Sequence, residues 1–319
     1  PATQKLIAKV LNFSNPENIC FAPNTHDLFT RVLSSFQNKK IKILTTDSEF
    51  YSFSRQVNWM SELKLIDLIV VPSAPYDTFN ERFKTEIQKN DFDVIFFSQV
   101  FFNSAIIVDD LESIVQSVEN EKTIIFIDGY HGFMAVPTDL SQIENRVFYI
   151  AGSYKYAQGG EGCCFMTIPQ NCPVVPTLTG WYAGFQDLEN NNSHITFNKN
   201  GSRFAGSSMD YTALYRLHAV LKLYADHHIS VDEIHAFVQK LQKNFLNYID
   251  EIKHPHIHRK NLLMLDPYNH GHFLSFKMPS VEICKEVKAE LLAKNVITDS
   301  RGTILRFGFA IYQNEKPVF

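Results

Sequence analysis

Short apolar runs alternate with amphipathic stretches through the first two thirds of the chain. The runs have the length of buried strands and occupy residues 41–44, 68–71, 94–97, 123–127, 147–151 and 164–168. Between several of them, residues 79–89 and 111–118 repeat apolar positions at helical spacing. Strands and helices in alternation predict an α/β fold, with a mostly parallel central sheet and helices on both faces.

The pattern changes near residue 209. Helices are predicted at 209–224, 231–249 and 281–294, with strands at 262–265, 272–276 and 303–309. This order is typical of a smaller α+β unit, so we predict a large domain over 1–228 and a small C-terminal domain over 229–319. The first elements, a helix at 2–11, a strand at 19–22 and a helix at 27–36, begin abruptly. We therefore expect the parent protein to carry a further N-terminal segment.

Composition excludes several classes of partner. The chain has 319 residues, 45% of them apolar, and a net charge of −4, which argues against nucleic acid and anionic membrane as partners. Its apolar runs are far shorter than the roughly 20 residues that span a bilayer. Five cysteines, two of them adjacent at 163 and 164, indicate reduced thiols and a cytoplasmic protein. The alternating His254, His256 and His258 lack acidic or cysteine neighbours, so no metal site is predicted.

A carboxylate stands where one predicted buried strand stops. Asp128 ends the run Phe126-Ile127-Asp128, and ligands of parallel sheets bind beyond the carboxyl ends of the strands. A buried carboxylate needs a cation or several donors. Asp128 is therefore either a helix cap or the partner of a protonated pyridine nitrogen, which would make the ring an electron sink.

A lysine follows the next predicted strand. Lys155 lies between two tyrosines and before the glycine-rich turn 159–162. Burial there would lower the pKa of the amine and favour its attack on an aldehyde. Taken alone, the position is better explained by a lysine that extends to solvent. An acid and an amine at successive strand ends suggest a pyridoxal 5′-phosphate (PLP) site, although an ordinary ion pair has the same spacing.

Two further positions suit such a cofactor. Asn24 and Thr25 precede a predicted helix whose N-terminus would attract phosphate, although either residue could simply cap that helix. Phe50 follows the strand at 41–44 and could stack on an aromatic ring, although an aromatic side chain is more often part of the core.

Two sequence segments resemble kynureninase, a member of the class V aminotransferase family of fold-type I PLP enzymes. They are FYIAGSYKYAQGGEG at 148–162 and TGWY at 179–182, and the resemblance extends from about residue 6 to 312. It implies that Lys155 is the Schiff-base lysine and that Asp128 binds the pyridine nitrogen. The other cofactor-binding positions that it implies are Asn24, Thr25, Phe50, His131, Tyr154, Trp181 and Ser207.

The resemblance also bears on substrate and assembly. It implies that Arg306 binds the substrate α-carboxylate, with Arg301 as the alternative, and that Tyr154 shuttles protons. Trp181 and Ser207 match positions that reach the phosphate across a dimer interface, so a homodimer is expected. Ser208 stands where kynureninase has an asparagine that touches the aromatic part of the substrate, and it cannot make the same contact.

The function that follows is a PLP-dependent enzyme acting on a free α-amino acid. Kynureninase-like hydrolysis of a Cβ–Cγ bond, which releases alanine, is the leading prediction, and transamination to a keto acid is the alternative. A cysteine desulfurase is less well supported, because Tyr154 stands where that branch has a histidine and no mobile cysteine is evident. A non-catalytic binding protein with the same fold is a candidate of another class.

Overall fold

The central element is a seven-stranded sheet, seen here in a computed structural model that describes residues 1–36, 39–187 and 194–316. Its strands are β1 (Ile19–Ala22), β2 (Ile41–Thr46), β3 (Ile66–Val71), β4 (Val94–Ser98), β5 (Ile124–Asp128), β6 (Val147–Gly152) and β7 (Cys164–Thr167). They lie in the order β1-β7-β6-β5-β4-β2-β3. Strand β7 is antiparallel to both of its neighbours, and the other pairings in this sheet are parallel.

Helices cover both faces of this sheet. They are α1 (Ala2–Val10), α2 (Thr25–Leu33), α3 (Tyr51–Glu62), α4 (Phe79–Lys89), α5 (Leu111–Gln116) and α6 (Thr212–Asp226). One buried apolar cluster packs α1, α4, α5 and α6 against one face, and a second packs α2 and α3 against the other. Strands β4 to β7 are buried at every position, as expected of strands covered on both sides. The predicted fold class is confirmed.

A second, smaller sheet forms from the last part of the chain. Strands β8 (Phe273–Lys277), β9 (Asp299–Arg301) and β10 (Ile304–Gly308) pair antiparallel in the order β8-β10-β9. Helices α7 (Val231–Ile252) and α8 (Val281–Ala293) pack on it through a separate apolar cluster. The division of the chain at 228 and 229 stays a prediction.

Two details of the small sheet differ from the prediction. The strand expected at 262–265 is wrong: Leu262 makes a single bridge to Phe276, directly after a 3-10 turn at Arg259–Asn261, and no ladder follows within this described stretch. Strand β9 was missed because its three residues, Asp299, Ser300 and Arg301, are polar. Such a strand lacks the apolar signal on which strand prediction depends.

The carboxyl ends of the parallel strands meet at one edge of the large sheet. Ser98 ends β4 and is the register partner of Asp128, which ends β5. Asp128 is in turn paired with Ile150 of β6, and Lys155 follows that strand by a short loop. Glu49 lies three residues beyond the end of β2 on the same edge. The topology therefore brings two acids and an amine to this edge.

No helix in the parts of the chain that the structure describes is both long and apolar enough to cross a lipid bilayer.

Gly152, at the end of β6, has no room for a Cβ atom. A Cβ atom at Gly152 would lie 2.6 Å from the ring of Tyr130 and 2.7 Å from Cys164 Sγ. We expect Gly152→Ala to lower the free energy of unfolding by roughly 1–3 kcal/mol, the usual effect of overpacking. Denaturant unfolding measures this, and Gly308→Ala is the matched control because its Cβ would meet nothing within 4 Å. Equal stability of the two variants would contradict the packing argument.

Candidate active site

Lys155 is the amine at the centre of the site. Its Nζ lies 2.6 Å from Nε2 of His131 and 5.8–5.9 Å from the ring centres of Phe50, Phe102 and Tyr130. Burial, followed by the positive charge of Arg306, lowers the pKa of Lys155 to about 8, while Asp128 acts in the opposite direction. About a tenth of this amine would therefore be unprotonated, and nucleophilic, at pH 7.

Asp128 is the buried acid of the site. It is 8% exposed at the end of β5, and its Oδ1 accepts a hydrogen bond of 2.8 Å from the backbone N–H of Tyr130. Burial raises the pKa of Asp128 to about 6, and the Tyr130 N–H and Lys155 partly offset this effect. A buried carboxyl group whose ionisation is disfavoured in this way is suited to receive a cationic ligand.

His131 is neutral and walled by aromatic rings. Its ring stacks on Phe102 at 5.9 Å and lies 5.2 Å from Phe273 and 6.4 Å from Tyr156. Burial, with the charges of Lys155 and Arg306, lowers the pKa of His131 well below its ordinary value. The neutral ring nitrogen Nε2 can therefore accept a hydrogen bond from the Lys155 ammonium group.

The N-terminus of helix α2 is linked to the site through Cys164 and Tyr130. Asn24 caps the helix by accepting a 2.8 Å bond from Asp27 N, so the capping interpretation of its side chain is correct. The backbone of Thr25 contacts the Cys164 thiol, whose Sγ lies 3.7 Å from the hydroxyl of Tyr130. The Cys164 side chain thus lies between the first turn of α2, with its free N–H groups, and Tyr130 in the turn after Asp128.

Arg306 reaches the site from the small sheet. Its guanidinium group lies 4.8 Å from the ring centre of Phe102 and 5.3 Å from that of Phe273, and Nη1 donates to the Phe102 carbonyl at 2.8 Å. Nε and Nη2 both donate to Oδ2 of Asp299, the register partner of Arg306 on β9. We call Arg306, Asp299, Phe102 and Phe273 the candidate carboxylate site.

Arg301 occupies a different position. Its Nη1 binds Oδ1 of Asp299 at 2.6 Å, and its side chain is 41% exposed, against 10% for Arg306. Burial opposes ionisation of Asp299, but the hydrogen bonds and charge of Arg306 outweigh it and lower the pKa of Asp299. Arg306 is therefore the arginine that is built into the site, and Arg301 is a partner of Asp299 at its rim.

Six predicted site residues are exposed: Asn24 and Phe50, described above, and four others. Tyr154, beside Lys155, is 52% exposed, and Trp181 is 43% exposed and packs on Tyr182 and Phe185. Ser207 and Ser208 are exposed and line a cavity of about 380 Å³ beside helix α2. Within residues 1–36, 39–187 and 194–316, no ring contact or hydrogen bond joins Trp181 or Ser207 to Lys155.

Sequence reasoning missed three contributors to the site. Glu49 is 5% exposed and binds Ser98, the neighbour of Asp128. Phe102 contacts Phe50, His131 and Arg306, and Asp299 holds Arg306. Glu49 could have been found by the argument used for Asp128, since it also follows a buried strand.

Comparison with known families agrees with this arrangement. The family model described as Aminotransferase class-V matches residues 1–315. The chain belongs to the class-V aminotransferase family. This membership confirms the prediction of a PLP-dependent enzyme and of PLP as its cofactor. No curated protein matches the sequence.

Solved structures share the fold of this class-V chain at low sequence identity. A C-DES mutant with glycine covalently linked to its PLP cofactor is 17% identical with a TM-score of 0.79, over 97% of this chain and 80% of that one. The cysteine desulfurase CsdA from Escherichia coli is 14% identical with a TM-score of 0.80, over 98% and 79%. Ureidoglycine-glyoxylate aminotransferase from Bacillus subtilis is 15% identical with a TM-score of 0.70, over 97% and 79%.

The side chains at the sheet edge fit the cofactor of the class-V family. The aldehyde of PLP needs an amine, its pyridine nitrogen an acid, its ring an aromatic contact and its phosphate an anion site. This edge of the sheet offers an amine with a lowered pKa, a buried acid, aromatic walls and a helix N-terminus. The kynureninase-like subtype is not confirmed, and the roles of individual residues, the homodimer and the cytoplasmic location stay predictions. In the described ranges, no three His, Cys, Asp or Glu side chains are placed to hold a metal ion.

The lowered pKa of Lys155 can be tested on the cofactor-free protein. We expect labelling of Lys155 by an amine-reactive reagent, followed by peptide mass spectrometry, to reach half its maximal rate near pH 8. Asp128→Asn should shift this midpoint down, because the carboxylate favours the ammonium form, and Arg306→Gln should shift it up. A midpoint near 10.5, the ordinary value for lysine, would contradict the assigned environment.

Proposed function

We propose that this chain is a PLP-dependent enzyme that acts on the Cα of a free α-amino acid. The observation that carries the proposal is that two groups of opposite charge lie near enough to Lys155 to act on the pKa of its amine. Asp128 and Arg306 both act on the Lys155 amine, one from the large sheet and the other from the small sheet. The amine, the acid and the carboxylate-binding arginine of one reaction would thus face a common space.

The cofactor would be held by residues of the large sheet. When bound, PLP supplies a protonated, conjugated ring that takes up electrons from the substrate Cα. Asp128 would keep the ring nitrogen protonated, Phe50 would lie against the ring, and Thr25 with the N-terminus of α2 would bind the phosphate. Lys155 would hold the aldehyde carbon and, once released by the substrate amine, take the proton from Cα. Neutral His131, whose Nε2 lies 2.6 Å from Nζ, would accept a hydrogen bond from the lysine and so orient it.

The candidate carboxylate site would orient the substrate. One edge of the Arg306 guanidinium is filled by Asp299, and Nη1 is tied to the Phe102 carbonyl. Two aromatic rings lie against the group, so it is fixed and partly dehydrated before any ligand arrives. A guanidinium group that is fixed in advance recognises a carboxylate at little further ordering cost.

The finer proposal is hydrolysis of a Cβ–Cγ bond, in which water is consumed and alanine and a carboxylic acid are released. It rests on the resemblance of the Lys155 and Trp181 segments to kynureninase, with Tyr154 as the proton carrier. Transamination is the second candidate, because an aminotransferase shares the fold over 97% of the chain. Ser208, which is shorter than the asparagine of kynureninase, supports a substrate other than kynurenine.

Release of sulfur through a cysteine nucleophile is less well supported by the structure. Cys20, Cys163 and Cys164 are buried, and burial raises the pKa of each thiol to about 12. Cys172 and Cys284 are buried as well, and burial raises their pKa values in the same direction. A thiol of this kind is a poor nucleophile at neutral pH.

A substrate panel tests the proposed function. The purified protein, loaded with PLP, is incubated with the common α-amino acids and with kynurenine, while alanine, keto acid and sulfide are followed together. We expect a visible absorbance band of lysine-bound cofactor, and we expect Lys155→Ala to abolish both the band and all product formation. Lys222→Ala, which changes an exposed lysine paired with Asp226, is the matched control. A band that persists without Lys155 would show that the assigned lysine is wrong.

We expect Arg306 and Arg301 to contribute unequally to substrate binding. Arg306→Gln should raise the amino-acid concentration needed for half-maximal rate by at least about tenfold, because a charge-assisted hydrogen bond contributes roughly 1.5–3 kcal/mol. Arg301→Gln should change it by less than roughly threefold, since rim ion pairs contribute little. Steady-state kinetics on the best panel substrate decide between them. A larger effect at Arg301 would transfer the carboxylate-binding role to that residue.

A further inference from the structure

A second buried carboxyl group lies beside Asp128 and has no role in the proposed chemistry. Glu49 is 5% exposed and joins the ends of β2 and β4. Its Oε1 accepts from Thr46 Oγ1 at 2.5 Å and from Ser98 N at 3.2 Å, and its Oε2 lies 2.5 Å from Ser98 Oγ. A carboxyl group at this depth is costly unless it is neutral or paired with a cation.

The hydrogen bonds around Glu49 are compatible with a proton on its Oε2 atom. Thr46 Oγ1 already accepts from Ser48 N at 3.1 Å, so its own hydrogen is directed to Oε1. Ser98 Oγ, in contrast, pairs only with Oε2 among the described residues, and a hydroxyl can accept as well as donate. A protonated Oε2 can therefore donate to Ser98 Oγ without disturbing the bonds to Oε1.

The charges around Glu49 favour this neutral form. Its two side-chain partners are hydroxyl groups, and the carboxylate of Asp128 acts on it with a charge of the same sign. Burial, together with Asp128, raises the pKa of Glu49 to about 8, although the Ser98 and Thr46 bonds oppose the shift. Two carboxyl groups in one low-dielectric region do not both ionise readily.

Glu49 is also tied to the aromatic wall of the site. It directly precedes Phe50, which begins helix α3 as its N-cap residue. The carbonyl of the preceding residue, Ser48, accepts a backbone bond of 3.2 Å from Phe102 N. The Glu49–Ser98 bonds therefore fix the turn that places Phe50 and Phe102 against Lys155.

We propose that Glu49 is a positioning residue that the fold holds as a neutral acid. In this form it fixes the Phe50 turn to β4 and leaves Asp128 as the negative charge that meets the cofactor. The role of Glu49 at the cofactor rests on the proposed function. Its neutrality does not, and the two parts are tested separately.

The first test needs no cofactor and compares thermal stability between pH 5 and pH 8 for the wild-type chain and Glu49→Gln. The unfolded chain releases the glutamate proton near 4.5, whereas the folded chain keeps it up to about 8. Wild-type stability should therefore fall steadily relative to Glu49→Gln as the pH rises through this window. The exposed Glu81→Gln should show no such trend. A constant difference between wild type and Glu49→Gln would overturn the neutral acid.

The second test measures PLP affinity by equilibrium titration of the cofactor-free protein. At pH 7, Glu49→Gln should bind PLP within roughly threefold of wild type, because a carboxamide keeps the shape and hydrogen bonds of a neutral acid. Glu49→Ala should lose about tenfold or more, as expected when buried hydrogen-bond partners are left unpaired. Above pH 8, wild type should weaken relative to Glu49→Gln by up to about tenfold per pH unit.

The outcomes separate the two proposals. If Glu49→Gln loses as much affinity as Glu49→Ala at pH 7, Glu49 acts as an anion and the positioning role is wrong. If the wild-type chain fails to bind PLP, the proposed function and the cofactor role of Glu49 fail together. The stability comparison still decides in that case whether Glu49 is neutral.

Discussion

Burial of charge at the carboxyl edge of the large sheet is the constraint on which the site depends. Strand β5 is buried at every position and ends in Asp128, so the sheet places a carboxyl group where water solvates it poorly. Burial favours the neutral form of both neighbouring groups. It lowers the pKa of Lys155 to about 8 and raises the pKa of Glu49 to about 8. In the proposed function, a cationic ring nitrogen would pair with the buried acid and offset the cost of burying it.

The large sheet was predictable because its strands are continuous apolar runs. Asp128 and Lys155 were found for the same reason, since each follows such a run closely. Glu49 was missed because two threonines end β2 and separate it from the apolar part of that strand, and a short polar segment looks like a turn. Asp299 gave no signal at all, because its role depends on antiparallel pairing with Arg306 across a hairpin. Pairing of polar residues across strands is not encoded in a local apolar pattern.

Membership of the class-V family defines the cofactor chemistry without defining the reaction. A cysteine desulfurase and an aminotransferase have the same fold as this chain over at least 97% of its length. The distinguishing features are therefore individual side chains, as is general for widely used folds. We propose that here they are the buried thiols, the short Ser208 side chain and the aromatic pair beside Arg306. Phe102 contributes to both halves of the site, because its ring faces Lys155 and its carbonyl holds Arg306.

The bond between Arg306 and the Phe102 carbonyl spans 204 residues of sequence. Contacts of such separation close long loops and form late in folding, because their entropic cost precedes their gain. If Lys155 and Arg306 have the roles proposed above, a chain that has completed the large sheet but not the small one would carry a reactive amine without the arginine that recognises the substrate carboxylate. Selection of substrates by charge would then begin only once the last strand, β10, has docked.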